Sequence, residues 1–250
     1  MPLLPPLTPP VTSWLNAVLS FVYPETCQLC GNSRATPNES YICDSCRNDI
    51  DHIKPPFCER CGLPFEGAIT TTFECSNCRD HELHFSYARA VVIFRDRMLD
   101  LIHKYKYNRA LWFEPFLAGL LVNAARPHLN RELWHYLVPV PLYHAKLRER
   151  EFNQAERLAT HLSATTQIPI NSCLLRRVLP TRTQTLLTRE ERIANVRKAF
   201  AMRPGARLNG ERLILVDDVL TTGATTSACA RVLLGAGAAE VCVWTVARGI

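Results

Sequence analysis

The chain has 250 residues, 47% of them hydrophobic and 21% charged, with a formal net charge of +6. This length suits one full α/β domain plus a smaller module, and the composition is ordinary for a globular protein. Nothing approaches the roughly 18 consecutive apolar residues that a membrane span needs, which excludes an integral membrane role built on helices. The charge is unevenly placed. Residues 1–86 hold 5 Lys and Arg against 10 Asp and Glu, whereas residues 87–250 hold 24 against 13. The basic segment is therefore the part expected to meet an anionic partner.

In chain order, residues 1–23 open with a proline-broken lead and continue as a helix predicted from about Thr12 to Tyr23, its apolar stripe being Trp14, Leu15, Val18, Leu19 and Val22. No Lys or Arg precedes Arg34, so the basic region of a secretory signal is missing and a cytoplasmic location is expected.

Residues 24–84 form a cysteine-rich module. Eight of the eleven cysteines fall here, all as C-x-x-C: Cys27 and Cys30, Cys43 and Cys46, Cys58 and Cys61, Cys75 and Cys78. The first and third pairs start 31 residues apart and the second and fourth 32 apart, which marks an internal repeat. Two knuckles per repeat supply four thiolates, the set that zinc takes in closed structural sites. Two such ions are expected, paired within each repeat, although interleaved pairing is also geometrically open. Disulfides would need an exported chain, and a redox pair would want a strand-to-helix turn. Segments of some thirty residues bury little core, so the metal must supply most of their folding energy. The module is already acidic, and each four-thiolate zinc adds −2. Direct phosphate contact by the ribbons is therefore disfavoured, and packing onto protein, or onto the basic half, is expected.

Residues 85–250 alternate strands and helices in two parts, residues 85–131 and residues 132–250. A strand is predicted at Tyr87–Phe94, then a helix from Arg95 with Met98, Ile102 and Tyr105 on one face, and a second from near Pro115 to about Ala125. Tyr136–Tyr143 reads as a strand ended by prolines, followed by a helix from about Asn153 to Ser163 and a strand near Leu174–Val178. A polar stretch, Leu179–Leu187, leads to a charged helix from Thr188 to about Lys198. Strand, loop and helix then run from Leu213 to Leu234, and a strand closes the chain. This order predicts an α/β fold, a mostly parallel sheet with helices on both faces. Cys173, Cys229 and Cys242 stand in apolar contexts and are expected to be buried.

The sequence "LILVDDVLTTGAT", Leu213–Thr225, places Asp217 and Asp218 after an apolar run and follows them with Thr221, Thr222, Gly223, Ala224 and Thr225. In open parallel sheets ligands bind beyond the carboxyl ends of strands. The threonine segment would wrap a helix N-terminus, where free N–H groups attract phosphate. The acids suit neutral hydroxyl donors such as a ribose diol, with Mg2+ offsetting their charge. An ordinary capped turn accounts for one threonine but not for the acid pair.

This stretch resembles the signature with which type I phosphoribosyltransferases bind PRPP (5-phosphoribosyl-1-diphosphate). The resemblance implies that Asp217 and Asp218 hold the ribose hydroxyls and that residues 221–225 bind the 5′-phosphate. With "LVPVPLYHAKLREREFNQAERLA", "LLRRVLPTRTQTLLTREERIANVRKAF" and the cysteine repeats, nearly the whole chain resembles the ComF family of competence-associated proteins. That family has a double zinc ribbon before a phosphoribosyltransferase-like domain, which implies that residues 85–131 form its hood and residues 132–250 its core. Its usual R-G-F-N-Q segment here reads Arg150-Glu151-Phe152-Asn153-Gln154, with Glu in place of Gly. By this resemblance Arg148 and Arg150 lie where a diphosphate loop belongs, against the alternative of solvated surface charges. Gln184, Arg189, Arg192 and Asn195 fall in or after the stretch that resembles the mobile catalytic loop. Asn153 and Gln154 would cap and orient the following helix.

Two functions are carried forward. One is a PRPP-binding accessory of DNA uptake that meets DNA-uptake proteins and single-stranded DNA. Its charge is supplied by the basic half, and rings interleave with cations in "FRDRMLDLIHKYKYNRALWF". The other is an active phosphoribosyltransferase of nucleotide salvage or related metabolism, its acceptor unspecified.

Overall fold

The structure, a computed structural model, describes residues 25–65, 67, 75–80, 82–179 and 198–250. The helix expected over Thr12–Tyr23 lies outside them, as do Gln184, Arg189, Arg192, Asn195 and nearly all of the charged helix expected from Thr188.

In chain order, the cysteine module carries two one-turn helices, α1 (Asp44–Asn48) and α2 (Ser76–Asp80). Then come β1 (Ala88–Ile93), α3 (Asp96–Tyr107), α4 (Glu114–Ala125), β2 (Tyr136–Pro139), α5 (His144–Arg150) and α6 (Gln154–Thr166). The chain ends with β3 (Leu175–Arg177), β4 (Phe200–Met202), β5 (Arg212–Leu220), α7 (Ala224–Gly235) and β6 (Glu240–Arg248). The central sheet runs β1-β6-β5-β2, and each neighbouring pair is parallel.

The sequence explains this sheet. Leu213, Ile214, Leu215 and Val216 are all fully buried, as strands covered on both faces must be. Ile214 and Val216, with Cys242, Trp244 and Val246 of β6, enter one core with α3, α4 and α6. Leu213 and Leu215, with Val241 and Val243, enter the other core with α7. Each such side chain contributes about 1.5–3 kcal/mol when fully buried. On α3 the buried residues are Met98, Leu101, Ile102 and Tyr105, the stripe of an amphipathic helix. Asn153 caps α6 by accepting the Ala155 N–H at 3.1 Å, and its own amide donates to the Val140 carbonyl at 3.2 Å.

The two halves of the cysteine module divide between the cores. Cys27, Cys43 and Cys46 pack in the first, and Cys58, Cys61, Cys75 and Cys78 in the second. The link between the halves lies along the outer side of β1, where Ile53 N–H donates to the Val91 carbonyl and Ile93 N–H to the Asp51 carbonyl. On the far side of the sheet, Leu137 of β2 donates to Pro169 and accepts from Asn171.

Three expectations are corrected. The strand at Tyr136 stops at Pro139, and where a turn was expected the helix-forming run His144–Arg150 makes α5. The strand near Leu174 stands outside the main sheet, because it pairs antiparallel with β4, which was not anticipated. Cys229 and Cys242 are buried as expected, but Cys173 is exposed. Its N–H donates to the Asn171 side chain at 3.0 Å in a turn, so Leu174 and Leu175 take the buried places instead.

Glu151, which stands where the family has Gly, closes α5 in the left-handed region at φ 67° and ψ −7°. The backbone thus keeps the conformation that Gly adopts without cost, and the Glu carboxylate lies 2.9 Å from Arg109. Glu151→Val, which puts a β-branched side chain there, is expected to lose about 1 kcal/mol or more in denaturant unfolding, while Glu151→Gly should remain at or above the parent. Equal stability of the two variants would contradict the left-handed assignment.

Candidate metal centres and ligand cleft

Each cysteine repeat closes on itself. The sulfurs of Cys27, Cys30, Cys43 and Cys46 lie within 4.8 Å of one another, and so do those of Cys58, Cys61, Cys75 and Cys78. The pairing is therefore sequential. The closest S···S distances are 3.7 and 3.8 Å in the first cluster and 3.3 and 3.7 Å in the second. A tetrahedron with Zn–S bonds of about 2.3 Å has edges of about 3.8 Å, so the donor set fits zinc. None of these cysteines is in a disulfide.

The repeat builds the clusters in the same way twice. Gly31 N–H donates to the Cys27 carbonyl, and Gly62 N–H to the Cys58 carbonyl, each at 2.8 Å. Each second knuckle opens a short helix that carries its last cysteine, Cys46 on α1 and Cys78 on α2. Backbone N–H groups of Asn32 and Ser33 bring the Cys30 thiol down to about 6, toward the thiolate that a metal requires. At Gly62 (φ 67°) a Cβ would stand 2.8 Å from the Ala88 carbonyl oxygen, so the second knuckle lies directly against β1.

The ligand cleft opens where the central strands part. β2 last pairs with β5 at Pro139–Val216, with one further bond from Val140 N–H, whereas β5 continues beside β6 to Leu220. Asp217 and Asp218 thus lie within the strand, not after it, and β2 no longer covers them. They are 9% and 3% exposed. Together with Thr221, Thr222, Gly223, Ala224, Thr225 and Thr226 they line a cleft of about 310 Å³. Gly223 begins α7 at φ 84°, and Thr222 Oγ1 accepts the Ala224 N–H at 3.3 Å. The signature residues are therefore brought together as a strand, a loop and a helix N-terminus.

Cations line the same cleft, among them Lys146 and Arg150 of α5 and Arg177 of β3. Arg150 is buried, donates to Gln154 at 3.1 Å and stacks 4.9 Å over the Tyr107 ring. Arg148, two residues earlier, is exposed and does not line the cleft. Burial, followed by the charges of Arg150 and Arg177, lowers the Lys146 pKa. His103 and Tyr107 of the hood also line the cleft, while Tyr105 is core.

One functional contact was not anticipated. Lys106 of α3 places its ammonium 2.5 Å from Asp218 Oδ2. Burial disfavours the Asp218 carboxylate, but Lys106 outweighs it and holds the group below its ordinary range. Asp217 behaves oppositely: burial first, then the Asp218 charge, push it up to about 8. The pair is thus split into one anion and one carboxyl that keeps its proton. Two neighbouring cations are also engaged, Lys104 with the Gln28 carbonyl at 2.5 Å and Arg109 with Glu151. Among the described residues, no helix is long and apolar enough to cross a membrane.

Comparison with known proteins agrees with the layout. Residues 18–80 match the double zinc ribbon domain family. The chain is 32% identical over 214 residues to competence protein F of Haemophilus influenzae, covering 83% of this chain and 90% of the relative. It is 31% identical over 228 residues to the DNA utilization protein YhgH of Escherichia coli K12, covering 90% of this chain and 97% of the relative. Among solved structures, adenine phosphoribosyltransferase from Leishmania tarentolae aligns at 17% identity with a TM-score of 0.33, covering 55% of this chain and 58% of its own.

Protein purified without chelators is expected to contain two zinc ions per chain by elemental analysis; oxidised thiols and no metal would contradict the assignment. A second test concerns Asp217. Its raised folded pKa favours the folded state while the carboxyl is protonated, so that contribution is full below about pH 4 and is lost as pH rises toward 8. Asp217→Asn should therefore gain stability relative to the parent progressively from pH 5 to 8 in metal-free buffer. A pH-independent difference between the two would refute the split.

Proposed function

The chain belongs to the competence protein F (ComF) family, and on that premise we propose that it binds PRPP with Mg2+ in this cleft and serves DNA uptake from the cytoplasm. The observation that carries the reading is the convergence of an acid pair and a threonine loop, from one strand–loop–helix unit, on a cleft that Lys146, Arg150 and Arg177 also line. In this reading Asp217 and Asp218 receive the ribose hydroxyls. Thr221 to Thr225 receive the 5′-phosphate through backbone N–H groups and hydroxyls at the start of α7. Arg150, with Lys146 and Arg177, faces the diphosphate, and Arg148 is left to the surface. The hard oxygen donors of the acid pair and the ligand phosphates suit Mg2+, which supplies charge neutralisation when bound. Lys106 supplies that charge to Asp218 before the ligand arrives.

The names of the relatives, a competence protein and a DNA utilization protein, support the DNA-uptake setting. Tyr107 and Trp112, 56% and 43% exposed on the hood, offer rings for single-stranded bases. The engaged state of Lys104, Lys106 and Arg109 means that the charge for such a strand comes from other residues of the basic half. The second reading is an active phosphoribosyltransferase of nucleotide salvage or related metabolism. It is favoured by the same cleft, because a phosphoribosyl donor held beside an open hood is poised for transfer to an acceptor.

Asp217→Asn combined with Asp218→Asn is expected to weaken PRPP binding about a hundredfold or more by calorimetry with Mg2+, with an unchanged circular dichroism spectrum. Undiminished affinity would mean that the acids do not meet the ligand. Diphosphate release from PRPP over a panel of acceptors separates the readings: turnover identifies a transferase, and binding without turnover an accessory role.

A further inference from the structure

We propose that Arg248 is a positioning residue through which the second cysteine cluster sets the shape of the phosphate loop, so that zinc retention there and phosphate binding in the cleft are coupled. This rests on the reading that residues 221–225 take a phosphate.

Arg248 closes β6 and is 2% exposed. Its Nε donates to the Cys61 carbonyl at 3.2 Å, and its Nη2 lies 3.8 Å from Cys61 Sγ. Its Nη1 reaches the carbonyls of Leu220 at 3.2 Å, of Thr221, and of Gly249 at 2.5 Å. These acceptors are four carbonyls and one sulfur, with no carboxylate. A buried cation needs a compensating negative charge, and four thiolates around one zinc carry a net −2 beside it. The guanidinium is therefore at home only while that cluster is intact.

The bonds fall where they control the loop. In a planar trans peptide the N–H points opposite to the carbonyl that shares its plane. Arg248, by holding the carbonyls of Leu220 and Thr221, aims the N–H groups of Thr221 and Thr222 away from the ribbon. Asn77, between Cys75 and Cys78, donates to the Thr222 carbonyl at 3.4 Å and does the same for Gly223. Three successive N–H groups are thereby turned to the cleft side, the arrangement an anion requires. The rest of the second ribbon backs the same segment. A Cβ at Gly223 would meet Leu83 at 3.2 Å and Phe85 at 3.5 Å, and Ser227 Oγ of α7 accepts from His84 N–H and donates to the Glu82 carbonyl. The first cluster packs in the core on the opposite face of the sheet, away from this loop. Linkage is reciprocal, so a ligand that prefers the ordered loop must also prefer the intact second cluster.

The test uses the full zinc-loaded chain and ribose 5-phosphate with Mg2+ as the probe. Binding is measured by calorimetry. Zinc loss under a zinc-selective chelator is followed by alkylation of each cysteine, read by peptide mass spectrometry. The probe is expected to slow alkylation of Cys58, Cys61, Cys75 and Cys78 about fivefold or more, and to leave Cys27, Cys30, Cys43 and Cys46 unchanged. Arg248→Met should load both zincs yet lose that protection, and Arg248→Lys, which keeps the charge but not the fork, should lose most of it. If Arg248→Met does not fold, the parent decides alone: protection confined to the second cluster supports the coupling. Equal protection of both clusters, protection of neither despite measured binding, or full protection in a folded Arg248→Met overturns it. Failure of ribose 5-phosphate to bind the parent overturns the phosphate-loop reading, and the coupling with it.

Discussion

A parallel sheet is stable only when both of its faces are covered, and a sheet of four strands has few helices with which to cover them. In this chain the two cysteine clusters supply the missing cover. One half of the module enters the core of α3, α4 and α6, and the other enters the core of α7. Neither half could fold from its own apolar residues, and the sheet would be incompletely covered without them. The cysteine clusters thus belong to the cores of the α/β fold as well as to the ribbons.

The cleft follows from a second constraint, two neighbouring carboxylates inside a strand. Buried together they cannot both be ionised without compensation, and the fold responds unequally. Asp218 receives the Lys106 ammonium, while Asp217 is left in a setting that favours its proton. Lys146, Arg150 and Arg177 line the same cleft, so acids and cations share one concave surface.

Much of this was legible in the chain. The cysteine repeat disclosed two closed sites because metal-ligand spacing is local, and the apolar runs at Leu213 and Glu240 disclosed buried parallel strands. The acid–threonine stretch stood out because no packing argument accounts for it, and it lines the cleft. What escaped depends on distance. Lys106 meets Asp218 and Arg248 meets Cys61 across more than a hundred residues of sequence, and no periodicity reports such pairings. α5 was missed because prolines just before it weighed toward a turn, although its own residues favour a helix. The β3–β4 pair was missed for want of length, three residues in each strand. Cys173 was misjudged because apolar neighbours do not bury a residue that a turn faces outward.

The segments lying beside β1 and β2 have a further meaning. Open sheets offer ladders of unpaired backbone groups to any strand that passes, and long exposed edges are where chains pair in error. On one side the link around Ile53 takes the bonds of β1, and on the other the passage from Pro169 to Asn171 takes those of β2. Both are short and irregular, so neither makes a template for the next chain. Both outer strands of the central sheet are thereby partly covered, which leaves little of their backbone open to strand exchange between copies.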